Sequence, residues 1–285
     1  MSLQVKKLSY GLGAEISGID ISQPVSEAHY GAIHRALLEH GIVLFRDQPM
    51  STEQHIAFSR GFGELDTHDN APQDRHPDYP EVLLITTKPK SNGKPSDTRY
   101  TGRVWHSDHS FTLVPAMGSL LRSVAVPDVG GNTMFANMYL AYDALSDGMK
   151  KLLEKLHGVH ATSRKIDDPE RAADMKRRNP PVAQPVVRVH PESGRKALYI
   201  GEKVRHFAGM TPEESRPLIE YLCRHATRPE FVYRHAWRPH DLIFWDNRST
   251  MHIALGDFDV STLRHMERTT ILGTPSGYVY DGPLH

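Results

Sequence analysis

The alternation of apolar and polar positions opens with a helix and then breaks into many short segments. Between Glu27 and His40, Ile33, Leu37 and Leu38 recur at helical spacing on one face, and Gly41 follows as a stop signal. The next four residues, Ile42-Val43-Leu44-Phe45, are apolar without alternation and predict a buried strand. Ser51 with Gln54 three residues later predicts a capping box that opens a second helix ending near Gly61.

Beyond Leu65 the periodicity shortens. Val82 to Ile85, Leu120 to Val124 and Thr133 to Ala136 read as strands. Helical stretches follow around Tyr139 to Leu145 and Met149 to Leu156, with Gly158 placed to end the second. Lys165 to Gln184 is charged, contains Pro180 and Pro181 and lacks a strand period. It predicts a long excursion that could act as a lid, solvated by Lys176, Arg177 and Arg178. Strands resume at Val186 to Val189 and Ala197 to Ile200 across a Ser193-Gly194 turn. Thr211, Pro212 and Glu214 start a helix whose early course Pro217 should distort or break, because its ring crowds the carbonyl four residues back. Phe231 to His235, Leu242 to Trp245 and Thr269 to Leu272 complete the strands.

Short strands with helices gathered at the N-terminus and in insertions argue against an alternating parallel sheet. They predict a mainly β fold with α, a double-stranded β-helix (jelly roll) core carrying N-terminal and inserted helices. No repeat or linker divides the chain, so residues 1–285 are expected to form a single domain.

Composition narrows the function. A hydrophobic content of 39% supports a sizeable core, and Lys plus Arg equal Asp plus Glu at 34 each. That balance gives no basic field for nucleic acid or an anionic membrane. Cys223 is the single cysteine, so no disulfide can form within the chain. With no apolar signal region and no apolar run of roughly 20 residues, a cytoplasmic location is expected.

The chain holds 18 histidines, and the informative ones lie in Trp105-His106-Ser107-Asp108. In a strand, His106 and Asp108 at i and i+2 would point to one face and aim at one point. A third ligand must come from a distant segment, and His252, after Leu242-Ile243-Phe244-Trp245 and the turn-forming Asp246-Asn247, is the leading candidate. Two histidines and a carboxylate on one face leave positions for dioxygen and a chelating 2-oxo acid on Fe(II). In so histidine-rich a chain one such pair can arise by chance, so its surroundings must decide.

Those surroundings are specific. WHSDHSF, VPDVGGNTMFANMYLAYDAL, and WDNRSTMHIAL with Arg264 and Arg268 behind it resemble the taurine dioxygenase and 2,4-dichlorophenoxyacetate dioxygenase family. So do GAEISGIDIS and VLFRDQPMSTEQHIAFSRGFGEL, while PPVAQPVVRVHPESGRKALYIG and HATRPEFVYRHAWRPHDLIFWDNR look closest to the phenoxyacetate branch. The resemblance covers nearly the whole chain in the right order. It implies a jelly-roll dioxygenase with Fe(II), and with 2-oxoglutarate and O2 as co-substrates. It places His106, Asp108 and His252 on the metal, and Thr133 and Arg264 on the distal carboxylate of 2-oxoglutarate. Arg268 falls on the second arginine, for the co-substrate or an anionic substrate group. A dicarboxylate suits a permanently charged, bidentate arginine better than a lysine. The carboxylate of Asp108, where related halogenases have a small residue, implies hydroxylation. A homo-oligomer, dimer or tetramer, is also implied.

The substrate is less constrained. His68 resembles the histidine that meets the sulfonate in taurine-type members. His109 stands where those members carry a small apolar residue, and a turn after Asp108 could bring it into the pocket. Gly102 departs from their pocket asparagine, and Ser91 to Arg103 is long and polar. The departures argue against taurine itself, and a small organic anion, aryloxyalkanoate-like or sulfonate-like, is the expected substrate. Two other classes compete: a Zn(II) hydrolase using the same ligands, and a non-catalytic jelly roll with a lapsed site. The hydrolase needs no Arg-Thr pair for a dicarboxylate, and the complete residue set argues against a lapsed site.

Overall fold

The computed structural model describes residues 3–90, 93–162 and 169–284. The N-terminal third runs β1 (Gln4–Lys7), β2 (Ala14–Ser17), α1 (Glu27–His40), β3 (Ile42–Phe45), α2 (Thr52–Arg60) and β4 (Leu83–Thr86). The middle runs β5 (Ala116–Ala125), β6 (Thr133–Asn137), α3 (Met138–Asp143), α4 (Asp147–Leu153), β7 (His157–His160), α5 (Pro169–Arg178), β8 (Val182–Pro185), β9 (Val187–Val189), β10 (Lys196–Leu198) and β11 (Val204–Phe207). The chain closes with α6 (Pro212–Ala226), β12 (Val232–His235), β13 (Leu242–Asp246), β14 (Thr250–Ala254), β15 (His265–Leu272) and β16 (Tyr278–Val279).

A seven-stranded sheet ordered β1-β2-β3-β13-β5-β15-β4 faces a three-stranded sheet ordered β12-β6-β14. Strand parity explains the two layers. Val43, Phe45, Leu120, Leu242, Phe244 and Ile271 point outward and pack under α1 and α2 against Ile33, Leu37, Ile56 and Phe58. Their neighbours Ile42, Leu44, Leu121, Ile243, Trp245 and Met266 point inward and meet Phe135 and Trp237. Both faces are covered, which is why Ile42 to Phe45 reads as a continuous apolar run rather than an alternating one. This is the jelly-roll core with N-terminal helices that the pattern predicts.

Local signals hold where their physics is local. Ser26 caps α1 on His29 N, and Gly41 leaves the helix at φ 70° with its N–H on the Leu37 carbonyl at 2.7 Å. Ile33 and Leu37 are buried, while Leu38 is half-buried. Both predicted capping boxes form, at Ser51 with Gln54 and at Thr211 with Glu214.

Four expectations need correction. Helix α4 ends at Leu153, and Gly158 lies within β7, where a Cβ would stand 3.1 Å from Val204. The glycine serves a close strand contact there, not a helix stop. Helix α6 continues through Pro217. The missing N–H orphans only the carbonyl of exposed Glu213, which water can satisfy. Residues 182–184, taken as part of the excursion, belong to β8, which lies between β7 and β16. Val182, Ala183 and Gln184 are all buried, so no alternation was available to betray the strand. The beginnings of the Lys165 and Ser91 stretches lie outside the described residues. Finally, His106 and Asp108 do not share a strand; His106 makes an isolated bridge and Asp108 enters a turn.

Candidate active site

His252 occupies the centre of β14, opposite Phe135 of β6, and its ring lies 4.8 Å from that of Trp245. His106 arrives on a loop and exchanges both backbone hydrogen bonds with His252, at 3.1 and 2.8 Å. Directly opposed residues in an antiparallel bridge present their side chains to one face. The two imidazoles accordingly stand 4.3 Å apart.

Asp108 is aligned by partners rather than by strand period. Its N–H donates to Asn247 Oδ1 at 3.0 Å, its Oδ2 accepts from Ser119 Oγ at 2.8 Å, and its Oδ1 accepts from Arg268 Nη1 at 2.7 Å. Asn247 is itself held, donating to Ser119 Oγ and accepting from Trp245 Nε1, each at 3.0 Å. The carboxylate then lies 3.8 Å from His106 Nε2 and 3.9 Å from His252 Nε2. All three side chains are buried, with one donor atom from each within 4.8 Å of the others.

The donor set fits a divalent ion. His106 Nδ1 lies 2.7 Å from the Val104 carbonyl, which can only accept, so the proton sits on Nδ1 and Nε2 presents its lone pair. Burial keeps both rings neutral, pushing His252 down to about 4 and His106 well below the ordinary histidine value. Burial raises the Asp108 carboxyl, but its neighbours, the Arg268 guanidinium foremost, together outweigh it and hold the group well below the usual carboxylate range. Two neutral imidazoles and one ionised carboxylate are the ligand chemistry of a non-haem Fe(II) centre with open positions.

Outer partners orient such ligands, so replacing Asn247 by alanine is expected to weaken metal binding by about 10–100-fold while the fold survives. Equilibrium dialysis with Fe(II) or Mn(II) checks this, and an unchanged affinity would remove Asn247 from the site.

The arginines divide. Arg264 and Arg268, an even four residues apart on the β15 path, share the inner face with Met266. Arg268 reaches Asp108, and its Nε has no hydrogen-bond partner among the described residues. Arg264 is buried, with Nε on the Gly131 carbonyl at 3.3 Å and no carboxylate at ion-pair distance among the described residues. Burial lowers its guanidinium to about 10 against the opposing pull of Asp257. Thr133 begins β6 opposite Ala254, so it lies on the face that carries His252, two residues from the glycine Arg264 touches. Its hydroxyl accepts from Trp237 Nε1 at 3.0 Å.

A cavity of about 680 Å³ opens on His106, Asp108 and Arg268, and Thr133 and Arg264 are not on its lining. His68 and His109 both line it. Each sits at positive φ, 53° and 54°, which turns both rings toward Asp66 at 3.0 and 3.7 Å. The turn after Asp108 thus does bring His109 into the pocket. Gly102, at φ 80°, accepts from Ala254 N at 2.8 Å beside the His106 ring. Helix α5 roofs the cavity with Met175, and Asn179 beyond it pairs with Asn70.

Sequence reasoning missed Ser119, Asn247 as a carboxylate partner, Asp66 and Lys203. Asn247 had a signal, its place in WDN before the ligand histidine, but a turn explained it equally well. The others become neighbours of the site only through strand pairing and loop docking.

The chain matches the model of the taurine catabolism dioxygenase TauD, TfdA family over residues 4–270. It is 33% identical over 283 residues to the alpha-ketoglutarate-dependent 2,4-dichlorophenoxyacetate dioxygenase of Cupriavidus pinatubonensis, covering 95% of this chain and 98% of that one. Its structure superposes on a taurine dioxygenase from Burkholderia xenovorans with a TM-score of 0.83 at 35% identity, covering 99% and 96% of the two chains. It superposes equally, at 0.83 and 32% identity, on AAD-2 in complex with Mn(II) and N-oxalylglycine, covering 97% and 99%. Sequence, fold and a convergent His-Asp-His centre therefore agree, and the chain belongs to the TauD/TfdA family of dioxygenases.

Proposed function

We propose that this protein is an Fe(II)- and 2-oxoglutarate-dependent dioxygenase that hydroxylates a small organic anion and releases succinate and CO2. The observation that carries the reading is the buried convergence of His106, Asp108 and His252, together with a buried arginine, Arg264, that has no carboxylate at ion-pair distance among the described residues. The three ligands would hold Fe(II), which when bound supplies the oxygen activation that no side chain can. Arg264 would take the distal carboxylate of 2-oxoglutarate as a charge-assisted pair, with the Thr133 hydroxyl beside it. Their absence from the main cavity lining suits a co-substrate pocket separate from the substrate pocket. Asp108 offers a carboxylate where a halide would need space, so hydroxylation is the outcome. If the hydroxylated carbon bears an ether oxygen or a sulfonate, the product collapses with C–O or C–S cleavage.

For substrate, Arg268, His68 and His109 form the polar wall. The Cupriavidus relative is named for an aryloxyacetate and the Burkholderia structure for a sulfonate, which supports an anionic substrate of one of these kinds. The Zn(II) hydrolase alternative is not favoured, since the family and these named relatives are dioxygenases. No helix among the described residues is long and apolar enough to cross a membrane. The proposal extends to one catalytic domain over residues 1–285, with α5 as part of a lid, assembled as a cytoplasmic homo-oligomer.

The test is spectroscopic. Fe(II) and 2-oxoglutarate added anaerobically should give a weak visible charge-transfer band, and air with aryloxy acids or sulfonates should then release succinate. Metal binding without any band would sink the proposal.

A further inference from the structure

The cavity wall beside the metal ligands carries a second cation that nothing in the known chemistry of the site employs. Lys203 lines the main cavity together with His106, Asp108 and Arg268, and also lines the small void behind His106. Its place is built into the backbone. Gly201 packs so closely on the ligand loop that a Cβ there would come within 2.8 Å of the Trp105 carbonyl and 3.4 Å of His106 Cα. Glu202 N–H donates to the same Trp105 carbonyl at 3.0 Å, and Val204 N–H closes the turn on Gly201 at 3.1 Å. The turn that presents Lys203 is therefore docked on the segment that presents His106.

Among the described residues Lys203 has no ion pair and no hydrogen bond. The carboxylates of the wall's two His-Asp groups are engaged. Asp108 takes Arg268 and Ser119, while Asp66 takes His68 and faces His109. A half-buried ammonium without an anion is costly, and such groups occur where a ligand supplies the missing charge. The electrostatic neighbours of Lys203 are Asp108, whose carboxylate is already shared, and Arg268. Two cations on one wall, one of them with its Nε still unbonded, suit a group with several acceptor oxygens.

Resting on the dioxygenase reading above, we infer that Lys203 is a specificity-determining residue that, with Arg268, clamps the oxyanion head group of the substrate next to the metal. A carboxylate, a sulfonate and a sulfate ester share that chemistry, and an uncharged analogue lacks it.

The experiment uses the full chain loaded anaerobically with Fe(II) and 2-oxoglutarate. Binding of phenoxyacetate, phenylmethanesulfonate and neutral 2-phenoxyethanol is followed by the change in the charge-transfer band and by calorimetry. Wild type should prefer at least one anion over the alcohol. Lys203→Met should weaken that anion by about tenfold or more, the range for losing a charge-assisted contact, and leave the alcohol unchanged. Lys203→Arg should recover most of the loss, separating charge from packing, and the 2-oxoglutarate titration should be the same in all three proteins. Equal anion binding by Lys203→Met and wild type overturns the assignment. So does a wild type that binds neither anion better than the alcohol, or a Lys203→Met defect confined to 2-oxoglutarate. Absence of the band in wild type, by contrast, strikes the dioxygenase reading itself.

Discussion

Asp108→Ala is expected to abolish turnover and to lower Fe(II) affinity by well over about 100-fold, beyond the 10–100-fold that loss of an outer partner costs. The carboxylate is the only anionic member of the donor set, and three elements of the large sheet converge on it through Ser119 on β5, Asn247 after β13 and Arg268 on β15. Alanine leaves two neutral imidazoles facing an uncompensated guanidinium, an arrangement that repels a divalent cation. The same change costs stability. Breaking a buried ion pair by removing one partner typically costs about 3–5 kcal/mol, and the low end applies because Arg268 borders a cavity that water can enter. Asp108→Asn keeps the shape and the Ser119 contact, so it separates the two effects: folding should recover more than metal binding does. Metal titration and thermal melts of the chelator-treated proteins measure both. Wild-type turnover in Asp108→Ala would refute the metal assignment outright.

Arg264→Ala should act on the other co-reactant. If this guanidinium pairs with the distal carboxylate of 2-oxoglutarate, truncation removes a buried charge-assisted contact of about 2–5 kcal/mol, roughly 30-fold or more in the KM for 2-oxoglutarate. Metal affinity should hardly change, because Arg264 contacts Gly131 and not the ligand set. Arg264→Lys keeps the charge but loses the planar fork, so an intermediate KM is expected. Steady-state succinate release across a 2-oxoglutarate series reads this directly. A KM unchanged in Arg264→Ala would move the co-substrate's anchor elsewhere, with Arg268 next in line.

These predictions begin from residues that the sequence made visible. The pair in WHSD, the distant His252 and the two arginines spaced four apart can be picked out because ligand chemistry admits few residue types, and because the surrounding motifs resemble one family. Helix ends were equally legible. A capping box such as Ser51 with Gln54 or Thr211 with Glu214 is complete within four residues, so its physics lies wholly in local sequence.

What tertiary structure decided is everything that depends on a partner far away in the chain. His106 and Asp108 look like a strand pair but are aligned by a bridge to β14 and a bond to Asn247, and no period along the chain encodes either. Strand β8 was hidden because its residues are buried on both faces, which erases the alternation that marks a half-exposed strand. Gly158 carried the signature of a helix stop, yet its lack of a side chain serves a contact with Val204 that only the fold creates. Lys203, an ordinary lysine two residues after a glycine in sequence, gains meaning only where Gly201 docks on Trp105 and His106 and turns it toward the metal site. The sequence determined which chemistry this protein can perform, because donor types and local caps are properties of the residues themselves. The fold alone determined which of its many charges face that chemistry, because burial and proximity exist only once distant segments have packed.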